Sequence, residues 1–281
     1  MNYSFLTSVY RNTKESEMRE CVESMLSQTV PPEQVVIVID GPVPDELKEY
    51  IDSLSQSMSE VFTVLPLEEN VGLGLALQKG LEVCRNEIVA RMDTDDICVK
   101  DRMEKQLARL SEDETLSIVG SDIAEFIGTT DNVVSVRDVP QSHEEICEYL
   151  KKRCPFNHMT VTFRKSEVEK AGSYQPWYLD EDSYLWVRMY LAGCKFANIG
   201  ENLVFARVDE SSFRRRGGIK YYRSERDLFR FMRKNKIITW WQYKKAKWVR
   251  FIVQVLMPNG MREWFFKKFA RKKSAKEAKN G

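Results

Sequence analysis

The acidic block Asp93-Thr94-Asp95-Asp96 is the densest group of chemically capable side chains in this sequence. It directly follows the run EIVARM, which has the pattern of a buried strand. Three carboxylates at such a strand end repel one another and lose hydration, so they need a compensating cation. Carboxylate oxygens suit Mg²⁺ or Mn²⁺, which also accept phosphate oxygens. The alternative is an acidic turn that caps the next helix, but the preceding strand favours a metal bridging protein and diphosphate.

A second acidic pair, Glu181 and Asp182, opens an apolar helical pattern that reaches Ala192. A carboxylate there either acts as a general base or only favours the positive end of the helix dipole. Because neighbouring helical residues point in different directions, only one of the pair can face a substrate. Trp177 and Tyr178 precede the pair, where they either stack on a sugar or form a packed aromatic turn.

Alternating strand and helix patterns in the first hundred residues place these side chains. Strands are predicted at residues 4–10, 34–39, 61–65 and 87–92, and helices at 15–27, 45–54 and 72–84. This order predicts an α/β fold with a mostly parallel, Rossmann-like central sheet flanked by helices. Ligands of such sheets bind beyond the carboxyl ends of the strands, where Asp40 and Asp93 both fall.

The second half of the sequence has a less regular pattern. Strands are predicted at residues 117–127, 133–136, 159–163, 195–199 and 203–208, and helices at 142–152 and 179–192. Ser142-x-x-Glu145 resembles a capping box, and Gly193 is the expected stop of the later helix. From Lys220 onward the pattern is helical and basic.

Charge is distributed unevenly along the 281 residues, although the net charge is only +1. Residues 201–281 contain 23 Lys and Arg but only 7 Asp and Glu. Within them, residues 240–273 mix Trp and Phe with Lys and Arg, which suits the headgroups of an anionic membrane. The alternative is helices packed on the body of the protein with a solvated basic face. The region contains no recognition motif that would support binding to nucleic acid.

The apolar content and the cysteines limit which kind of protein this can be and in which cellular compartment it is expected. Apolar residues form 43% and charged residues 30% of the chain, which excludes global disorder. The six cysteines form no C-x-x-C pair, so we expect reduced thiols in a cytoplasmic protein. The basic aromatic region adds the expectation that this protein is peripheral at the inner face of the plasma membrane. The first residues, MNYSFLTSVY, predict a strand and not a signal peptide, and no apolar run has spanning length.

Taken together and in this order, the motifs resemble family 2 glycosyltransferases of the GT-A fold. These are inverting nucleotide-sugar enzymes of polysaccharide assembly. The matching residues are Ser8, Val9, Tyr10 and Asn12; Asp40 and Gly41; Glu69, Asn70 and Gly72; the block from Asp93 to Asp96; and Glu181, Asp182, Leu185 and Trp186. The basic remainder is similar to enzymes that build bacterial capsular or exopolysaccharide.

The resemblance assigns the chemical roles. Asp182 matches the catalytic base, and Asp95 matches the metal-binding carboxylate. Asp93 would join the metal site or contact the ribose. Ser8 and Tyr10 would line the pocket of the nucleotide base.

The same resemblance implies the remaining donor contacts. Asp40 would accept a hydrogen bond from the uracil N–H, with Asn70 nearby in the E-N-x-G motif. Lys79 and Arg215 are candidates for phosphate contacts, and Arg215 lies in a basic run followed by two glycines. His158 would contact the donor diphosphate or the acceptor, unless it is only structural.

The sequence therefore predicts a metal-dependent inverting glycosyltransferase. It would transfer a hexose or related sugar from a UDP-sugar to a hydroxyl of a lipid-linked glycan, with Mg²⁺ or Mn²⁺ as cofactor. Residues 1–215 would form the catalytic domain, with a nucleotide-binding half (1–100) and an acceptor half (101–215), and residues 216–281 a basic aromatic extension. One alternative is a sugar-nucleotide nucleotidyltransferase, which is disfavoured because SVYRNTKES contains no glycine. The other is an inactive membrane-surface or glycan-binding module.

Overall fold

Four parallel strands, connected by helices, form the first half of the central sheet. The computed structural model describes residues 1–208 and 217–258 and the backbone of Lys272–Lys273. The strands are β1 (Tyr3–Val9), β2 (Gln34–Ile39), β3 (Phe62–Pro66) and β4 (Ile88–Arg91), and the helices are α1 (Glu15–Leu26), α2 (Asp45–Ser57) and α3 (Leu73–Val83). Their order is β4-β1-β2-β3, so the four carboxyl ends lie at one edge. The predicted α/β fold is confirmed.

The second half extends the same sheet and adds helices. Its elements are β5 (Ile97–Cys98), α4 (Arg102–Glu112), β6 (Leu116–Phe126), β7 (Val133–Arg137), α5 (His143–Leu150), a 3-10 turn (His158–Thr160), β8 (Thr162–Arg164), α6 (Lys165–Lys170), α7 (Glu181–Leu191), β9 (Lys195–Arg207), α8 (Ile219–Lys234), α9 (Trp240–Phe251), a π-helical turn (Ile252–Leu256) and β10 (Lys272–Lys273). The basic C-terminal region is helical, as predicted.

Pairing in the second half is mixed, which differs from the parallel order of β1 to β4. β8 pairs antiparallel with β4 and β6, and β7 pairs antiparallel with β6. β9 is parallel to β6 and continues through the predicted break: Ser121 is opposite Ile199 and Asp122 is opposite Asn202, so two residues bulge out. The two separate strands expected at 195–199 and 203–208 are therefore one strand. The strand expected at 159–163 begins as the 3-10 turn and becomes β8 only at Thr162.

Both faces of the sheet are covered by apolar side chains. All six residues of β2 are buried, because α1 and α2 lie on one face and α3 lies on the other. Val35 and Ile37 point into one layer, and Val36 and Val38 into the opposite one, as the two-residue period of a strand requires. The strand ends that carry the acidic residues are thus held by a close-packed core.

Local signals in the C-terminal half behave as expected. Ser142 and Glu145 form the predicted capping box of α5, and Gly193 follows α7 with φ +79°. α8 places Leu228 and Phe229 in the same apolar layer as α7.

The expected domain boundary at residue 215 lies within residues 209–216, outside the described part. Within residues 1–208 and 217–258, no helix combines the length and apolar composition needed to cross a bilayer.

Candidate active site

The acidic loop after β4 gathers three carboxylates around one point. Oxygens of Asp93, Asp95 and Asp96 all lie within 4.8 Å of one another. Asp95 is exposed at the surface, whereas Asp96 is only 2% exposed. One oxygen of Asp96 accepts a hydrogen bond from the Arg207 amide at 2.8 Å, and the other has no partner among the described residues. A buried, unpartnered carboxylate oxygen beside two further carboxylates is a place that favours a cation.

Electrostatics of the loop point the same way. Although part of Asp95 reaches the surface, desolvation of its carboxylate by the surrounding loop, together with the charge of Asp93, raises its pKa to about 6. Burial and the two neighbouring carboxylates raise the pKa of Asp96 well above its ordinary value. The donors are all hard oxygens, which are the ligands that Mg²⁺ and Mn²⁺ select. The residues present therefore fit the divalent cation that the sequence predicts, with Asp96 as a member of the cluster beyond Asp93 and Asp95.

Two arginines that the sequence analysis did not single out hold this loop. Arg91, at the end of β4, is 1% exposed and forms an ion pair with Asp93. Arg207, at the end of β9, donates from Nε to the Asp95 carbonyl oxygen at 3.0 Å and lies over the Phe126 ring at 4.6 Å. Arg91 could have been noticed as a charge inside an apolar run. Arg207 gives no such signal, because it lies 112 residues beyond Asp95 in the sequence.

The end of β2 forms the neighbouring part of the same sheet edge. Asp40 is 4% exposed, and its Oδ1 accepts from the Val71 amide at 2.7 Å. Its Oδ2 accepts from the Gly72 amide at 3.1 Å and from the Asn70 side chain at 3.0 Å. A Cβ at Gly41, where φ is +78°, would lie 2.6 Å from the Asn70 nitrogen, so glycine is required for this close approach. Asp40 therefore fixes the loop that leads into α3.

Ser8 and Tyr10 lie beside Asp40. Val9 is in register with Ile39, so the ends of β1 and β2 are adjacent. Ser8 is half-buried, and Tyr10 is exposed. The structure thus brings Ser8, Tyr10 and Asp40 to one edge, the edge at which the acidic loop also begins.

The second acidic pair lies in the first turn of α7. Glu181 and Asp182 are both half-buried. Asp182 accepts from the Ser183 amide at 2.6 Å, and its other oxygen faces the Cys154 sulfur at 3.6 Å. Desolvation and the neighbouring Asp182 raise the pKa of Glu181 to about 7. The charge of Asp93 also acts on Glu181, which places the two acidic sites within electrostatic reach of each other.

His158 and Tyr174 contact each other beside α7, and the His158 ring lies 6.0 Å from the ring of Trp186 on that helix. His158 Nε2 and the Tyr174 hydroxyl are 3.0 Å apart. Burial, together with the charge of Arg91, lowers the pKa of His158 well below its usual value, so the ring is neutral at physiological pH. Tyr174 is fully buried, and this burial raises the pKa of its hydroxyl. The charge of Arg91 opposes the shift, whereas the charges of Asp182 and Asp93 add to it. Tyr174 therefore lies within electrostatic range of both acidic sites.

The structure does not place two of the predicted site residues, Lys79 and Arg215, near the acidic loop. Lys79 is exposed on α3, and no contact within the described part of the chain ties it to the acidic loop. Arg215 lies within residues 209–216, outside the described residues.

The C-terminal helices pack against the segment that precedes α7. Trp177 donates from its indole nitrogen to the Ser224 carbonyl oxygen at 3.3 Å. Asp180, the N-cap residue of α7, is 6% exposed. Desolvation and the nearby Glu225 raise the pKa of Asp180 to about 9, while Glu225 forms an ion pair with Arg250 at 3.1 Å. The segment that leads into α7 is therefore held against α8 by the Trp177 hydrogen bond, and the Glu225–Arg250 ion pair joins α8 to α9.

We expect Asp180→Asn to stabilise the protein increasingly as pH rises. The unfolded carboxyl ionises near its ordinary pKa of 3.8, but the folded one does so only near 9, so its contribution to the free energy of unfolding falls between those values. Asn does not ionise, so the variant avoids this decrease. Its free energy of unfolding should exceed that of wild type by about 2–4 kcal/mol near pH 8 but by less than about 1 kcal/mol near pH 4.5. Urea unfolding at both pH values measures it. Asp52→Asn, at an exposed position on α2, is the control, and an equal gain at both pH values would contradict the expectation.

An α/β sheet whose carboxyl edge carries a cluster of three carboxylates has the arrangement expected of sugar-transferring enzymes of the GT-A class. Residues 4–169 match the family described as Glycosyl transferase family 2, and the chain belongs to that family of glycosyltransferases. It is 37% identical over 228 residues to the amylovoran biosynthesis glycosyltransferase AmsE of Erwinia amylovora, covering 81% of this chain and 84% of that one.

A second relative covers almost the whole chain. It is the Escherichia coli UDP-Gal:alpha-D-GlcNAc-diphosphoundecaprenol beta-1,3-galactosyltransferase, 35% identical over 272 residues, with 96% of this chain and 97% of that one covered. Among solved structures, S. aureus TarS 1-349 in complex with UDP-GlcNAc is similar with a TM-score of 0.68 at 18% identity, covering 99% of this chain and 78% of that one. The structural similarity establishes the shared GT-A fold.

Proposed function

We propose that this glycosyltransferase transfers a sugar from a UDP-sugar, with inversion, to a hydroxyl of a lipid-linked glycan in bacterial surface polysaccharide synthesis. The observation that carries the proposal is the cluster of three carboxylates beyond β4, in which one buried oxygen of Asp96 has no partner among the described residues. The names of the relatives support the substrate classes: one uses UDP-Gal and a diphosphoundecaprenol-linked sugar. The TarS structure contains UDP-GlcNAc.

The nucleotide is proposed to bind along the ends of β1 and β2. Tyr10 is exposed there and offers a ring on which a base can stack. Oδ1 of Asp40 accepts one hydrogen bond within the chain and retains a lone pair for a uracil N–H. Ser8 and Asn70 supply further polar groups at this edge, and Lys79 and Arg215 remain proposed phosphate contacts.

Asp182 is proposed to act as the general base. It takes the proton from the acceptor hydroxyl while that oxygen attacks the anomeric carbon and the nucleoside diphosphate leaves from the opposite face. Asp95, with Asp93, would hold Mg²⁺ or Mn²⁺, which when bound neutralises the charge of the leaving diphosphate. Arg91 fixes Asp93 by their ion pair. His158, neutral and oriented by Tyr174, is proposed to contact the diphosphate or the acceptor.

The donor claim is tested by thermal unfolding with UDP, GDP and ADP, each with and without Mn²⁺. We expect UDP with Mn²⁺ to raise Tm by about 3–8 °C at a ligand concentration near 100 times Kd. UDP alone, or Mn²⁺ alone, should shift Tm far less, because the carboxylate cluster and the diphosphate are both negative. Equal shifts with GDP or ADP would contradict the uracil preference, and a full UDP shift in the presence of EDTA would contradict the metal requirement.

A further inference from the structure

α9 and the turn after it are apolar on two opposite faces. On the inner face, Tyr243 and Ala246 pack against the apolar layer that contains α7. On the outer face, Trp241 is 74% exposed, Trp248 58% and Ile252 50%. These three residues are seven and four positions apart, so they lie on one side of the helix. A helix that packs on one face ordinarily carries polar residues on the other, so the outer stripe marks an interaction surface.

Basic residues surround this stripe. Lys245 lies between Trp241 and Trp248 on the same side and is exposed. Lys244 lies over the Trp240 ring at 5.0 Å. α9 itself contains four Lys and Arg, namely Lys244, Lys245, Lys247 and Arg250, and no Asp or Glu. Of these, Arg250 is paired with Glu225. The apolar stripe thus lies on a helix that carries three further positive charges and no negative one.

We infer that the outer face of α9, defined by Trp241, Trp248 and Ile252, docks onto an anionic lipid surface. Indole rings favour the boundary between headgroups and acyl chains. Lysine side chains lay their aliphatic stems on the apolar part and place their ammonium groups among lipid phosphates. Helices that lie in a membrane interface combine these two features.

Charge complementarity selects lipid over a second copy of the chain. A symmetric dimer through this face would bring the lysines of two copies together, which opposes association. Protein interfaces are also depleted in lysine at their centres, where Lys245 lies here. An anionic bilayer instead presents negatively charged headgroups, which attract these lysines.

Docking by this face would place the bilayer near α7, the helix that carries the proposed base Asp182. Arg250 of α9 forms an ion pair with Glu225, and the Gln254 carbonyl oxygen accepts from the Gly218 amide at 2.9 Å, which ties the turn to α8. α8 in turn holds Trp177, three residues before the N-cap of α7. The surface would thus bring the cleft to the bilayer that carries the acceptor, a step that rests on the proposed lipid-linked substrate.

The test is co-sedimentation of the full chain with phosphatidylcholine vesicles that contain about one third phosphatidylglycerol. We expect wild type to bind these vesicles, to bind pure phosphatidylcholine far less, and to be released by high salt. Trp241→Ser with Trp248→Ser should lower the partition coefficient at least ~10-fold. Lys244→Gln with Lys245→Gln should lower it ~10-fold or more. Ile127→Ser with Leu191→Ser, which removes two exposed apolar side chains elsewhere, should leave it unchanged.

Three outcomes would overturn the inference. They are the absence of wild-type binding to the anionic vesicles, equal binding by the tryptophan variant, and a lipid-free dimer that this variant dissociates. Circular dichroism and Tm confirm that each variant is folded. The Tm shift with UDP and Mn²⁺ should survive in the tryptophan variant, so loss of vesicle binding with that shift intact separates this surface from the donor site. Vesicle binding without any UDP shift would instead leave the docking surface standing and contradict the proposed function.

Discussion

Asp182→Asn is expected to lower kcat for sugar transfer by about 10²–10⁴-fold, the range that removal of a general base produces. Asn matches the shape of Asp and can still accept the hydrogen bond from the Ser183 amide, so the start of α7 should remain in place. It cannot take a proton from the acceptor hydroxyl. UDP binding, which uses other residues, should therefore change little, and the loss should appear in kcat at constant Kd for UDP. Release of UDP from a panel of UDP-sugars with acceptor measures the rate.

Glu181→Gln is the matched control, because Glu181 is adjacent, half-buried and carboxylic. Since its own pKa is raised to about 7 by desolvation and by Asp182, a share of the population already has a neutral side chain there at physiological pH. We expect its replacement to lower kcat by less than about tenfold. A reversal, with Glu181→Gln inactive and Asp182→Asn active, would assign the base to Glu181. Transfer at the wild-type rate by Asp182→Asn would remove Asp182 as the base, and an inactive wild type would favour the binding-module alternative.

Local periodicity predicts those parts of the fold that local sequence determines. β2 is a run of β-branched residues, and its predicted bounds agree with the structure. Residues 142–152 contain α5 because Ser142 and Glu145 satisfy the first amides of that helix reciprocally. Since ligands of parallel sheets bind beyond the carboxyl ends of the strands, the sequence alone is enough to place Asp40 and Asp93 at one edge.

Helix α4 was not predicted, although its apolar residues have helical spacing. Met103, Leu107 and Leu110 lie at i, i+4 and i+7 and are buried together with Arg102 and Gln106. Gln106 donates to the Val119 and Thr160 carbonyl oxygens, which satisfies a polar side chain in the core. Residues 102–112 therefore carried a local helix signal that the sequence analysis overlooked, and only the burial of the two polar side chains had to come from the structure.

Contacts that complete the site join distant parts of the chain and have no local signature. Arg207 reaches the acidic loop only because β9 runs parallel to β6 and ends beside it. Glu225 reaches Asp180 only because α8 folds back over the segment before α7. Sequence motifs therefore predicted the chemical groups, whereas the side chains that position those groups emerged from tertiary packing.

The second large effect concerns the metal: Asp95→Asn should abolish the Mn²⁺-dependent Tm shift with UDP and weaken Mn²⁺ binding by at least ~10–100-fold. Asp95 is the exposed member of the carboxylate cluster, so its loss leaves the core untouched. Without ligands the variant should unfold at a temperature no lower than wild type, since one of three mutually repelling carboxylates has been neutralised. Titration calorimetry with Mn²⁺ and thermal unfolding with and without UDP measure both effects.

Glu17→Gln distinguishes loss of a ligand from loss of negative charge. The Glu17 carboxylate acts electrostatically on Asp95, but it forms ion pairs with Lys14 at 2.8 Å and Arg207 at 3.9 Å and lies outside the carboxylate cluster. If charge alone attracts the cation, both variants should weaken Mn²⁺ binding to a similar small extent, because exposed charges are screened. If Asp95 contributes a ligand atom, only Asp95→Asn should remove the shift. A Mn²⁺-dependent shift that persists in Asp95→Asn would contradict the metal assignment, and a large loss in both variants would show that Glu17 positions the loop through Arg207.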